Sequence, residues 1–203
     1  MNILITGFTP FGNEKINPSW EAVKLLKERI ENTNIYILEV PTEFGRASEI
    51  VIKEADRVDA DVVISIGQAG GRAAVSVEFI GINYMHSNMA DNAGIIPNQK
   101  RIKEDGDDGY FSNLPVMEIV NNIKSFGMPA YVSYSAGTYV CNDLLYSLMY
   151  DIKKRNLDRK AGFIHVPYIH EQVLDKCNYT PSISLERIVE TLQIAIETII
   201  KKG

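Results

Sequence analysis

The sequence predicts an α/β fold: a mixed, mostly parallel sheet flanked by helices, formed by one domain over residues 1–203. Three observations carry that expectation. Strand-like and helix-like patterns alternate along the chain, as they do when helices cover both faces of a sheet. No Ser/Gly-rich linker and no internal repeat divides them. The segment from Asp61 to Ile66 is apolar almost without interruption, which suits a strand buried on both sides. With 45% apolar residues in 203, the chain can bury a continuous core unaided by disulfides or metals.

Taken in order, Ile3 to Thr6 reads as the first strand. Asn17-Pro18 is a cap followed by a first-turn proline, and Val23, Leu26 and Ile30 recur at helical spacing, so a helix is expected from about Pro18 to Glu31. A strand at Tyr36–Val40, a helix at Glu43–Asp56, the strand at Asp61–Ile66 and another at Val75–Ile82 follow. Periodicity then fails from Asn83 to Asn113, a length typical of lids, extra hairpins or contact surfaces between subunits. It returns with a helix at Pro115–Ser125 stopped by Gly127, a strand at Ala130–Ser133 and a helix at Thr138–Arg155. The last strand is Gly162–Val166, and Leu185, Ile188, Val189, Leu192, Ile196 and Ile199 mark a terminal amphipathic helix that covers the sheet.

Charge narrows the partners. The 21 basic and 26 acidic residues give a net charge of −5 with no basic stripe, which opposes binding to nucleic acid or to an anionic membrane. The opening Met1-Asn2-Ile3-Leu4-Ile5-Thr6-Gly7 has no charged leader region, and its apolar run is too short to span a bilayer, so a cytoplasmic location is expected. Cys141 and Cys177 are too few for a disulfide framework, and in a reducing compartment each is a thiol needing its own explanation.

Cys141 follows Ser135-Ala136-Gly137-Thr138-Tyr139-Val140, a passage from strand to helix that places the thiol in a first turn. Open N–H groups and the positive end of the helix dipole there favour thiolate and could hold an oxyanion. The same residue is also in register with Leu144, Leu145 and Leu148, as a small core side chain would be. His165 ends an apolar strand, where open α/β sheets place their ligands, so it can face the crevice that Cys141 faces, although histidines are also often satisfied inside a core. Glu78 shares a strand face with Ser76 and Ile80; it is either a solvated strand residue or the carboxylate that orients the imidazole. His86, His170 and Cys177 have no metal-ligand spacing, so neither metal nor cofactor is expected.

Two glycine-containing loops border the same crevice: Thr6-Gly7-Phe8-Thr9-Pro10-Phe11-Gly12 and Gly67-Gln68-Ala69-Gly70-Gly71-Arg72. Neither has Rossmann or P-loop spacing; each could be a tight turn or a nest for an anion such as phosphate. Phe8 and Phe11 offer a surface to a flat apolar ring.

These segments, with Asn17-Pro18-Ser19, Ala136 to Asn142 and His165-Val166-Pro167-Tyr168, resemble pyroglutamyl peptidase I, a family of cytosolic cysteine exopeptidases, over nearly the whole chain. The resemblance implies that Cys141 attacks the carbonyl of an N-terminal pyroglutamyl residue, that His165 moves the proton and that Glu78 completes the triad. It implies that Phe8, Phe11 and Tyr139 enclose the lactam ring while Gln68 helps to recognise its polar edge. It further implies N-terminal pyroglutamyl peptides as substrates, a fold similar to nucleoside phosphorylases, and assembly as a homotetramer to which residues 83–113 would contribute. One departure stands out. Where the family usually places an active-site arginine this chain has Asn88, and it has Phe79 where an arginine usually follows the triad acid. A relative with weakened activity that binds small lactams is therefore the alternative.

Overall fold

The computed structural model describes residues 1–202. Its chain order is β1 (Asn2–Phe8), α1 (Pro18–Val23), β2 (Arg29–Ile30), β3 (Thr33–Val40), α2 (Arg46–Arg57) and β4 (Val62–Gln68). There follow β5 (Val75–Glu78), β6 (Ile80–Ile82), β7 (Gly109–Phe111), α3 (Val116–Ser125), β8 (Ala130–Ser133), α4 (Val140–Arg155), β9 (Lys160–Val166) and α5 (Leu185–Lys202). Seven strands form one sheet in the order β2-β3-β1-β4-β9-β5-β8. The pairs β3/β1, β1/β4, β4/β9 and β5/β8 are parallel, whereas β9/β5 and β2/β3 are antiparallel. This is the mixed, mostly parallel sheet that the alternating pattern predicts.

Strand periodicity sends successive side chains to opposite faces, so each face acquires its own core. On one, Ile3, Ile5, Ile64, Ile66 and Ile164 meet Val23 of α1, Ile119 and Ile123 of α3, and Leu192, Ile196 and Ile199 of α5. On the other, Leu4, Phe8, Val63 and Phe163 meet Val51 and Ala55 of α2 and Leu144, Leu145 and Leu148 of α4. His165 has the parity of Phe163 and therefore faces α4, the helix that starts one residue before Cys141.

Two expectations change. The first helix ends at Val23 instead of near Glu31: Leu25 and Leu26 donate to Ala22 O and Val23 O in tight turns, and Arg29–Ile30 pairs with β3. Leu26 and Ile30 still reach the same core, so their helical spacing is satisfied without a helix. The Val75–Ile82 strand breaks after Glu78, and Ile80–Ile82 turns away to pair with β7 in a separate ribbon. Gly81 sits so close to α4 that a Cβ there would lie 2.8 Å from Tyr146 N, a contact only glycine permits.

The stretch 83–113 is irregular but tied down. The Asn83 amide donates to Lys103 O and Gly106 O at 2.7 and 3.2 Å, and Asp91 accepts from the amides of Phe44, Ala93 and Ile95. Among the described residues no helix is long and apolar enough to cross a membrane.

Candidate active site

Cys141 lies in the first turn of α4, after the N-cap Tyr139, and no side chain caps that end. Its two following neighbours anchor the turn. Asn142 accepts from Ile82 N and donates to Ile82 O and Tyr84 O, all at 2.9 Å, while the buried Asp143 accepts from Gly45 N at 2.8 Å. Behind the sulfur, Gly67 leaves room that a Cβ would take away: it would stand 3.0 Å from Cys141 Sγ and 2.7 Å from the Phe163 ring.

The imidazole is held from the neighbouring strand. Because β9 and β5 run antiparallel, His165 lies opposite Ser76, and Glu78 is the diagonal neighbour two residues on, within reach of a long side chain. His165 Nδ1 and Glu78 Oε1 are 2.7 Å apart. The carboxylate is an acceptor, so Nδ1 carries the proton and Nε2 is the nitrogen left free. Glu78 is completely buried, and its Oε1 also accepts from Arg72 Nη1 at 2.8 Å. Arg72 Nη1 contacts Ser76 Oγ as well. Ser133 Oγ, across the sheet, donates to Ser135 O at 3.1 Å, which leaves Glu78 Oε2 unpaired.

Burial opposes charge on Glu78, but its pairing with His165 and the bond from Arg72 outweigh it and hold the carboxyl below its ordinary range. Burial pushes the His165 imidazole down, against the opposite pull of Glu78. Burial, and then the Glu78 carboxylate, push the Cys141 thiol up to about 12, against a smaller lowering by Arg72. The free site is accordingly a neutral thiol near a neutral imidazole. This differs from the expectation of a thiolate at the helix start: burial and Glu78 raise the thiol, and Arg72 and a backbone hydrogen bond lower it by less.

Phe8, Phe11, Gln68, Tyr139, Cys141 and His165 all border one cavity of about 270 Å³, with Asn17, Thr42, Arg72 and the Ala69-Gly70 and Ala136-Gly137 backbones completing its wall. Phe11 and Tyr139 stand 6.0 Å apart and Tyr139 meets Phe44 edge-on at 5.2 Å, so two aromatic walls are braced from behind. Glu78 is the one predicted residue that stays out of the cavity, beneath His165. Asn88 is exposed and does not border the cavity. The cation inside is Arg72, the end of a glycine loop in the sequence; its spacing of four and six residues from Ser76 and Glu78 is the only local signal of that place.

A thiol and an imidazole held by a buried carboxylate border one small cavity on an α/β fold, an arrangement suited to a thiol hydrolase. The family can be given as well. The pyroglutamyl peptidase family model matches residues 1–202, and the chain belongs to that family. The pyrrolidone-carboxylate peptidases of Thermosipho africanus and Fusobacterium nucleatum are each 47% identical, covering 100% and 97% of this chain and 98% and 92% of their own lengths. Crystal structures agree. Pyroglutamyl peptidase I from Bacillus amyloliquefaciens superimposes with a TM-score of 0.94 at 42% identity, covering 98% of this chain and 94% of its own. Pyrrolidone carboxyl peptidase from Pyrococcus furiosus gives 0.95 at 36%, covering 100% and 99%.

Proposed function

We propose that the chain, acting as one peptidase domain, removes an N-terminal pyroglutamyl residue from peptides with Cys141 as nucleophile, His165 as acid and base, and Glu78 as the group that orients it. The observation that carries this reading is the 2.7 Å bond between His165 and Glu78 at the wall of the cavity that Cys141 borders. His165 Nε2 takes the thiol proton as sulfur attacks the carbonyl carbon, so a thiol with a raised pKa becomes nucleophilic only when substrate is present. The open amide of Cys141 offers a donor to the oxyanion. The C–N bond then breaks, the imidazolium protonates the leaving amine, and a thioester remains. Water adds to the thioester, His165 takes its proton, and the C–S bond breaks to give free pyroglutamate and the thiol.

Pyroglutamate has no free amine, so selection rests on ring shape and on the lactam N–H and C=O, which are costly to bury unpaired. Phe8, Phe11 and Tyr139 supply the apolar walls and Gln68 a polar partner. The reading extends to a cytoplasmic homotetramer, in keeping with the family resemblance. Ile95 and Ile96, exposed by 48% and 58%, are suited to a subunit contact.

The test is release of a fluorescent amine from a pyroglutamyl amide. Cys141→Ser is expected to lower kcat on the order of 10³-fold or more, since the variant keeps the pocket and loses the nucleophile. Wild-type protein without turnover, or equal turnover in the variant, would overturn the proposal.

A further inference from the structure

Gln68 does not stand alone at the cavity wall. Its Oε1 accepts from Gln172 Nε2 at 2.9 Å, and Gln172 belongs to a short 3-10 turn, His170–Gln172, just beyond β9. An amide side chain can point either way, but the partners of Gln172 permit only one orientation. Its Oε1 accepts from the backbone amide of Ile169 at 3.2 Å, a group that can only donate. Its Nε2 faces Glu14 Oε2 at 3.1 Å and Ile16 O at 3.3 Å, groups that can only accept, so its two hydrogens serve three acceptors: Gln68 Oε1 takes the shortest bond, and Glu14 and Ile16 share the other hydrogen. Glu14 is in turn paired with Lys176 Nζ at 2.6 Å, which holds the carboxylate in place.

With Gln172 fixed in this sense, Gln68 must turn its oxygen toward Gln172 and its NH2 toward the cavity. We propose that Gln172 is a positioning residue for substrate selection: through this relay it makes Gln68 a dedicated donor, so that the pocket demands an acceptor, the ring carbonyl, on the bound residue. The inference rests on the pyroglutamyl reading above and adds the polarity of the recognition and the residue that sets it. Without the relay Gln68 could flip, and a buried acceptor would then confront the ring carbonyl, which is repulsive instead of selective.

The test compares a pyroglutamyl amide with the cyclopentanecarbonyl amide of the same fluorophore, which keeps the ring and lacks both polar groups. Gln172→Glu replaces the donor by an acceptor and should turn the Gln68 amide around. The expected result is a fall in the pyroglutamyl-to-cyclopentanecarbonyl ratio of kcat/KM on the order of 10- to 100-fold, expressed mainly as a higher KM for the pyroglutamyl amide. The alkylation rate of Cys141 in the free protein should not change, which a damaged fold would not allow. Gln172→Met, which removes donor and acceptor together, covers the case in which the glutamate variant does not fold and should lower the ratio severalfold. An unchanged ratio in the folded variants, or equal losses on both substrates, overturns the proposal. Wild-type protein that fails to cleave the pyroglutamyl amide would instead defeat the peptidase reading itself.

Discussion

Replacing Glu78 by Gln tests the electrostatics of the site most directly, because it alters charge with little change of shape. The carboxylate is 0% exposed and lies 2.7 Å from His165 Nδ1, so solvent does not screen what is lost. An amide oxygen can still accept from Nδ1 and Arg72, and the amide nitrogen would occupy the Oε2 position, which has no partner to lose. What disappears is the negative charge that stabilises the imidazolium formed during attack. Removing one member of a buried charged pair costs about 3–5 kcal/mol, and each ~1.4 kcal/mol is tenfold in rate, so kcat should fall about 10²- to 10⁴-fold. The thiol should respond in the opposite sense to naive expectation. Glu78 raises the pKa of Cys141 and Arg72 lowers it, so the variant should have a thiol pKa below about 12 while turning over more slowly. Steady-state hydrolysis and the pH dependence of iodoacetamide alkylation measure the two effects. A kcat within threefold of wild type, or a thiol pKa that moves up, would refute the assignment of Glu78.

Two further outcomes follow from the same geometry. Gly67→Ala should lower kcat on the order of 10²-fold with KM little changed, because the added methyl meets the Phe163 ring at 2.7 Å and Sγ at 3.0 Å and must displace the nucleophile; steady-state kinetics on the pyroglutamyl amide would show it. Acidification should destabilise the protein below the ordinary histidine value of 6.5, since the unfolded chain takes up a proton that the buried His165 resists. That contribution is fully present above 6.5 and is lost as pH falls toward the depressed folded value; urea titrations should show the loss, at most about 1.4 kcal/mol per pH unit, and His165→Gln should flatten it.

Much of this was legible because the chemistry sits at strand ends and a helix start, positions that apolar runs and small residues mark plainly. Phe8 and Gln68 close β1 and β4, His165 is the next-to-last residue of β9, and Cys141 is the second of α4. Periodicity gave out where two structures satisfy one pattern. Val23, Leu26 and Ile30 fit a helix or a helix, turn and strand, and only pairing with β3 decides between them. The break after Glu78 depends on how closely Gly81 approaches α4, a long-range contact with no local signature. The role of Arg72 has little local signature for a related reason: its place beside Glu78 depends on a loop folding back over its own strand, whereas Asn88, the departure from the family pattern, is exposed and does not border the pocket.

The two residues that follow Cys141 have a consequence for its motion. Asn142 fastens α4 to the edge ribbon through three bonds, and Asp143 fastens it to the start of α2. The sulfur therefore rides on a joint rather than at a free end: it cannot swing outward unless two segments distant in sequence let go together. Fraying, the ordinary weakness of a helix terminus, is suppressed at the one terminus where it would be most damaging, and anyone grafting this helix onto another scaffold would have to carry both fastenings along with it.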